Sequence, residues 1–243
     1  TDADGLPDAW ELAFFRNLSA TPADDPDGDW QTNLQEYQAG SNPSDTMVVA
    51  WGNNEYGQCQ VPTNLTNVIQ TAGGMYHALA LKANGTVVAW GNNTYGQTNV
   101  PAGLTNAVAL ASGAHHGIAA KADGSVTNWG CWWPYDTTYT PVMVRQGLSG
   151  VVRVAAGADH DLALRADGTV VAWGVDTNDA HVAVPSGLSG VTSVAAGYNH
   201  SVALLSNGTV TTWGDSFSIF GFNLTNVPAG LNGVVAIAAG RLH

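Results

Sequence analysis

The chain has 243 residues, enough for one large all-β domain and a small appendage. Its formal net charge is −12, with only seven Lys plus Arg, a balance that repels nucleic-acid phosphates and an anionic membrane surface alike. Charged residues make up 11%, apolar residues 45%, and there are 29 glycines, a composition that suits short strands joined by tight turns. No run of 18 apolar residues occurs, so no membrane insertion is expected. No basic stretch followed by an apolar run opens the chain, so no signal peptide is visible. Cys59 and Cys131 fall far apart in different stretches and suggest no disulfide framework.

Residues 1–45 are Asp-rich and read as a segment of their own. DPDGDWQTNLQE places Asp25, Asp27, Asp29, the Gln31 carbonyl, Asn33 and Glu36 at positions 1, 3, 5, 7, 9 and 12 of a loop, the spacing at which hard oxygens surround calcium. Trp30 stands where glycine ordinarily makes the sharp turn, which weakens or distorts that loop. A second copy opens the chain: Asp2, Asp4, Gly5, the Leu6 carbonyl, Asp8 and Glu11 take positions 3, 5, 6, 7, 9 and 12. Its first position would precede Thr1, which suggests truncation. Short helices over residues 10–17 and 33–38 are expected to pack through Trp10, Leu12, Phe15, Leu34 and Tyr37. The strings DGLPDAWE and TNLQEYQAGSNPSD resemble the thrombospondin type 3-like calcium repeats of bacterial extracellular proteins. The resemblance implies calcium as cofactor and a secreted or cell-surface setting, where millimolar calcium would fill even a weak loop. NPSD at 42–45 reads as a linker.

Residues 46–243 repeat. Trp-Gly recurs at Trp51, Trp90, Trp129, Trp173 and Trp213, with steps of 39, 39, 44 and 40. A second marker keeps the beat: AGGMYH, ASGAHH, AAGADH, AAGYNH and AAGRLH, ending at His77, His116, His160, His200 and His243. Each unit reads as strands. NVIQTA alternates before the first His marker, HALALK alternates after it, and TVVAW returns beyond an Asn-Gly or Asp-Gly pair, the residues of a two-residue hairpin turn. A fourth, outer strand is expected near QTNVP, where proline suits an edge. Strands in sets of three or four, recurring about every 40 residues, mean propeller blades.

The string AGGMYHALALKANGTVVAWGNNTYGQTNVP resembles the regulator-of-chromosome-condensation repeat, closest to its short bacterial form, as in the β-lactamase inhibitory protein of the second type. The resemblance covers residues 46–243 and implies an all-β propeller, typically of seven blades. Five TVVAWG-type strands, five VVAIAAG-type strands and four HxLAL-type strands are visible, so about five blades are expected, with MVVAW pairing into the last blade to close the ring. The count favours a partial propeller from a longer protein; a complete chain would leave open edges for self-association.

The AG-to-His turn and the segment after Trp-Gly should share one face, with the Asn/Asp-Gly turns opposite. The Asn/Asp-Gly turns read alike in every unit, as a scaffold would. The other face varies and carries Tyr56, Tyr76, Tyr95, Tyr198, Trp132, Trp133, Tyr135, Phe217 and Phe220. These aromatics form the expected binding face, led by Trp132 and Trp133 in the outlying string CWWPYDTTYTPVMV, for a protein or glycan ligand. The Trp of each Trp-Gly is read as packing between blades, and the recurring His as a turn residue bonding nearby backbone. His115 and His181 lie off the pattern without an evident partner. Asp159 and Asp161 flank His160, and strand alternation points both toward solvent. No nucleophile elbow, HExxH or P-loop occurs. The expected function is a secreted or surface-attached binding or adhesion module, not an enzyme. An enzyme inhibitor of the β-lactamase-inhibitor type is the first alternative and a polysaccharide-active enzyme domain the second.

Overall fold

The structure, a computed structural model, describes residues 2–26, 31–39, 43, 48–63, 65–131, 145, 147–175, 180–214, 225–241 and 243. It divides into two compact units, Thr1–Ala50 with Val61–Val68, and Trp51–Gln60 with Ile69–His243.

Among its described residues the first unit holds two short helices, α1 (Asp8–Phe14) and α2 (Asn33–Ala39). Pro7 sits extended just before α1, and its carbonyl accepts from the N–H groups of Trp10 and Glu11 at 2.8 and 3.1 Å, a place where the missing proline N–H costs nothing. The Trp10 ring meets Phe14, Phe15 and, on α2, Tyr37, with centroids 5.2, 5.8 and 6.0 Å apart. Leu12, expected in this contact, is instead 52% exposed. Two residues beyond Trp10 it lies roughly 200° around the helix.

Among the described residues, the second unit is built from four three-stranded antiparallel sheets. They comprise β1 (Val68–Gly73), β2 (His77–Lys82) and β3 (Val87–Gly91); β4 (Ala107–Ser112), β5 (His116–Lys121) and β6 (Val126–Gly130); β7 (Val151–Ala156), β8 (His160–Arg165) and β9 (Val170–Gly174); and β10 (Val191–Ala196), β11 (His200–Leu205) and β12 (Val210–Gly214). The hairpin between the second and third strands is not the two-residue turn that Asn-Gly suggested. Lys82 N–H donates to Thr86 O, Gly85 N–H donates to Lys82 O, and of Asn84 and Gly85 only Gly85 has positive φ, at 79°. This is a three-residue loop ending in a left-handed glycine. Asn84 Oδ1 accepts from both the N–H and hydroxyl of Thr86, and Asp123, Asp167 and Asn207 do the same with Ser125, Thr169 and Thr209.

The core lies in the seams between blades. Leu79, Leu81, Leu110, Ala119 and Trp129 fill the first seam; Ile118, Ala120, Val151, Ala163 and Trp173 the second; Ala155, Leu162, Leu164, Ala203 and Trp213 the third. The middle strands β5, β8 and β11 are therefore buried on both faces. This corrects the reading of Asp161, which is fully buried on β8: alternation implies a wet face only when one side of the sheet is uncovered. The first strands are innermost. Ile69 and Gln70, Val108 and Ala109, Val152–Val154 and Ser193–Val194 line a common cavity of about 460 Å³.

Backbone hydrogen bonds stitch successive blades. Gly85, Gly124, Gly168 and Gly208 offer their carbonyls to the N–H of Ala107, Val151, Val191 and Val234, at 3.0–3.1 Å. The near-identity of the Asn/Asp-Gly turns thus has a cause: each is a contact with the next blade.

Three expectations are corrected. Among the described residues, 48–52 and 231–240 form no strand, and Trp51 and Val235 are 85% and 92% exposed. A strand needs a hydrogen-bonded neighbour, and in the four complete sheets the HxLAL-type middle strand supplies it. No fourth strand forms at residues 97–101, where successive turns run instead, with Gly96 N–H to Asn93 O and Asn99 N–H to Gly96 O. Among the described residues no helix is long and apolar enough to cross a membrane.

Candidate recognition face

Register puts the variable segments together. His77, His116, His160 and His200 stand opposite Gly91, Gly130, Gly174 and Gly214. The chain leaving each third strand therefore starts beside the AG-to-His turn, held by Asn92 N–H to Tyr76 O, Cys131 N–H to His115 O and Val175 N–H to Asp159 O, at 2.8–3.1 Å.

On this face Tyr56, Met75, Tyr76, Asn92, Thr94, Tyr95 and His115 enclose a cavity of about 320 Å³. The Tyr56 and Tyr76 rings are 4.9 Å apart, Tyr76 and His115 6.4 Å, and Tyr95 meets His115 edge-on at 5.1 Å. The NNxYGQ phrase explains how the tyrosines are presented. Gln58 Oε1 and Gln97 Oε1 accept the N–H of Tyr56 and Tyr95, at 2.9 and 2.8 Å, while Asn92 Oδ1 receives Gln97 Nε2 at 3.0 Å. The Asn and Gln side chains fix the loop, and the tyrosine rings project from it. Burial, with His116 adding to it, lowers the His115 pKa, so the ring is neutral and apolar contact costs little.

Three of the expected aromatics, Tyr56, Tyr76 and Tyr95, thus converge. Tyr198 sits elsewhere on the same face, with the Arg241 guanidinium 4.9 Å above its ring. Both line a cavity of about 350 Å³ ringed by the five AG turns, from Gly73 and Gly74 to Gly240. Trp132, Trp133, Tyr135, Phe217 and Phe220 lie outside the described residues. Sequence reasoning passed over His115 and Arg241 as contact residues, although both occupy the variable turn positions where Tyr76 and Tyr198 were picked out.

The recurring His does not cap its own turn, as expected, but reaches the next blade. His77 Nε2 lies 2.9 Å from Ser112 Oγ, His116 Nε2 3.0 Å from Asp161 Oδ1, and His160 Nε2 3.1 Å from Ser201 Oγ. The physical reason is the glycine three residues earlier: the ring lies where a Cβ on Gly74, Gly113, Gly157 or Gly197 would stand, which turns Nε2 across the seam. Desolvation, reinforced by His116 and His115, pushes the His77 pKa down to about 3. The Trp-Gly indoles are buried in the seams as expected. Trp90, Trp129 and Trp213 donate Nε1–H to the carbonyls of Gln58, Gln97 and His181, each at 3.0 Å; Trp51 is the exception noted above. His115 and His181 have partners after all, His115 in the tyrosine cavity and His181 against His160, with centroids 4.7 Å apart.

In the first unit, Asp2, Asp8 and Glu11 bring carboxylate oxygens within 4.8 Å of one another. Asp4 Oδ1 accepts the Leu6 N–H at 2.9 Å, turning the loop. Glu11 is fully buried, and neither of its oxygens meets a donor. Desolvation, followed by Asp2, Asp4 and Asp8, raises its pKa. Buried oxygens without donors, facing other carboxylates, suit a hard cation. In the second loop Asp25, Gln31, Asn33 and Glu36 are described, while Asp27 and Asp29 lie outside the described residues. Asn33 and Glu36 are buried, and Asn33 Oδ1 meets no donor.

Residues 68–97, 151–179 and 191–218 match the Regulator of chromosome condensation (RCC1) repeat. The chain carries RCC1 repeats, folded as blades of a β-propeller; the unit at 107–131 forms the same three-stranded sheet. No curated protein matches the chain. Among solved structures it is similar to Prp20p from Saccharomyces cerevisiae, described with its binding to Gsp1p and histones, at 22% identity and a TM-score of 0.56 over 74% of this chain and 55% of that one. It is similar to human WBSCR16, at 22% identity and 0.57, over 78% and 64%. The ectodomain of the Physcomitrella patens receptor kinase CR4 is 25% identical, with a TM-score of 0.61, over 81% and 53%. The chain thus spans between about half and under two thirds of these structures.

Proposed function

We propose that this chain is a binding module, not an enzyme, and that it recognises a protein through the face carrying Tyr56, Tyr76, Tyr95, His115 and Tyr198. The observation that carries the reading is the tyrosine-lined cavity. Its backbone is fixed by Asn and Gln side chains, so the rings are preorganised for contact and lose little entropy on binding. A net charge of −12 favours a basic or neutral partner over a polyanion. Trp132, Trp133, Tyr135, Phe217 and Phe220 belong to the same proposed face by their place in the repeat.

The acidic segment, residues 1–45, is proposed as a calcium-stiffened spacer of the thrombospondin type 3-like kind, joined to the propeller repeats of residues 46–243. Asp2, Asp4, the Leu6 carbonyl, Asp8 and Glu11 would hold one calcium ion; Asp25, Asp27, Asp29, the Gln31 carbonyl, Asn33 and Glu36 would hold a second. When bound, calcium would neutralise the clustered carboxylates. Loops of this chemistry suit millimolar calcium, which supports a secreted or cell-surface, bacterial setting.

Screening the wild-type chain on protein and glycan arrays tests the reading. A protein ligand whose affinity falls at least tenfold on Tyr76→Ala or Tyr95→Ala supports it. Ligands found only on the glycan array, or turnover of a polysaccharide, would overturn it.

A further inference from the structure

We propose that Asp159, His160 and His181 form a site for a divalent transition metal ion, zinc foremost, that pins the third blade to the fourth. Asp159 Oδ1 lies 3.5 Å from His181 Nε2 and 3.9 Å from His160 Nδ1, and one ligand atom from each residue lies within 4.8 Å of the others. Ligands at about 2.0–2.1 Å from a tetrahedral zinc ion stand roughly 3.3 Å apart. The three groups are thus close to the spacing an ion imposes, and two imidazoles with one carboxylate are a donor set that zinc favours.

The hydrogen bonds around His160 fix which nitrogen is available. Ser201 donates its hydroxyl to the His181 carbonyl at 3.1 Å, so toward His160 the same oxygen accepts. His160 therefore carries its proton on Nε2, 3.1 Å from Ser201 Oγ. That leaves the lone pair on Nδ1, the nitrogen on the Asp159 side. Nδ1 is buried and meets no hydrogen-bond donor. A lone pair beside a carboxylate repels it, and a cation between them turns repulsion into coordination.

The repeat itself shows that this cluster is not part of the frame. His77 and His200 have the same buried Nδ1 with no hydrogen-bond partner, but among the described residues His160 is the one recurring His whose ligand atoms group with a carboxylate and a second imidazole at metal-binding distance. Asp159 replaces Tyr76, His115 and Asn199 of the other turns. His181 replaces Gln58 and Gln97, as its carbonyl contact to a Trp Nε1 shows. Two departures from the repeat, 22 residues apart in sequence, meet at one point. Because the His181 carbonyl also holds Trp213 and Ser201 of the fourth blade, an ion at this point bridges the seam.

The test is zinc titration of the full chain by calorimetry, with cobalt absorption as the geometric readout. One zinc should bind and raise the melting temperature. His181→Gln, which restores the residue of the other repeats, should lower affinity at least tenfold while leaving the melting temperature in chelator unchanged. Asp159→Asn should also weaken binding. Glu11→Gln, in the acidic segment, should leave zinc binding intact. Zinc binding that persists in His181→Gln and Asp159→Asn, disappears with Glu11→Gln, or is not detected in the wild-type chain would overturn the proposal.

Discussion

His116 Nε2 and Asp161 Oδ1 lie 3.0 Å apart, both fully buried, and join the second blade to the third across 45 residues of chain. Asn128 Nδ2 donates to the other oxygen of Asp161 at 2.5 Å. In the other seams a serine takes this role, Ser112 for His77 and Ser201 for His160. Asp161→Ala strips two buried groups of their acceptor and should cost about 3–5 kcal/mol. Asp161→Ser, the residue of the fourth blade, should cost clearly less. Thermal or denaturant unfolding of both variants measures the difference.

The AG turns are packed so tightly around the axis that glycine is required. A Cβ on Gly113 would stand 2.5 Å from the Gly157 carbonyl oxygen and also collide with the His116 ring. Gly73, like Gly113, is outside the positive-φ region, but nothing lies within 4 Å of its would-be Cβ. Gly113→Ala should therefore destabilise by about 1–3 kcal/mol more than Gly73→Ala, read from urea midpoints.

The buried frame histidines make stability fall in acid. Unfolded, His77 takes a proton near pH 6.5; folded, it resists until about pH 3, with His116 and His115 opposing its charge. Between those values the unfolded state binds the extra proton, so stability declines as pH falls, by up to about 1.4 kcal/mol per pH unit for this group. His115 and His200 are shifted the same way. His77→Gln should flatten the slope of stability against pH between about pH 6.5 and 4 by close to one proton.

If the acidic segment holds calcium, neutralising its ligands should show. Calcium should increase amide protection over α1, and Glu11→Ala should abolish the gain, since Glu11 is buried among Asp2 and Asp8. Hydrogen exchange with and without chelator makes the comparison.

The blades were legible in the sequence because each strand announces itself twice, by alternation and by the Trp-Gly or AG-to-His marker that ends it. Tyr56, Tyr76 and Tyr95 could be placed on one face because antiparallel strands fix which loops share an end. Asp161 was misplaced because alternation was applied to a strand covered on both faces, a fact that depends on neighbouring blades. The MVVAW segment was misread because a strand's existence depends on its partner, not only on its own residues. The Asp159–His160–His181 meeting was hidden for a similar reason: His181 occupies a glutamine position of the repeat, and only the seam between blades brings it to His160.

The central claim, that the variable face grips a partner while the Asn/Asp-Gly face is scaffold, is tested most directly by calorimetry with a protein ligand selected on the wild-type chain. Binding is compared for Tyr76→Ala and for Lys82→Ala at the opposite end of β2. A loss of at least tenfold for Tyr76→Ala, with Lys82→Ala unchanged, is the predicted result. Loss confined to Lys82→Ala would contradict it.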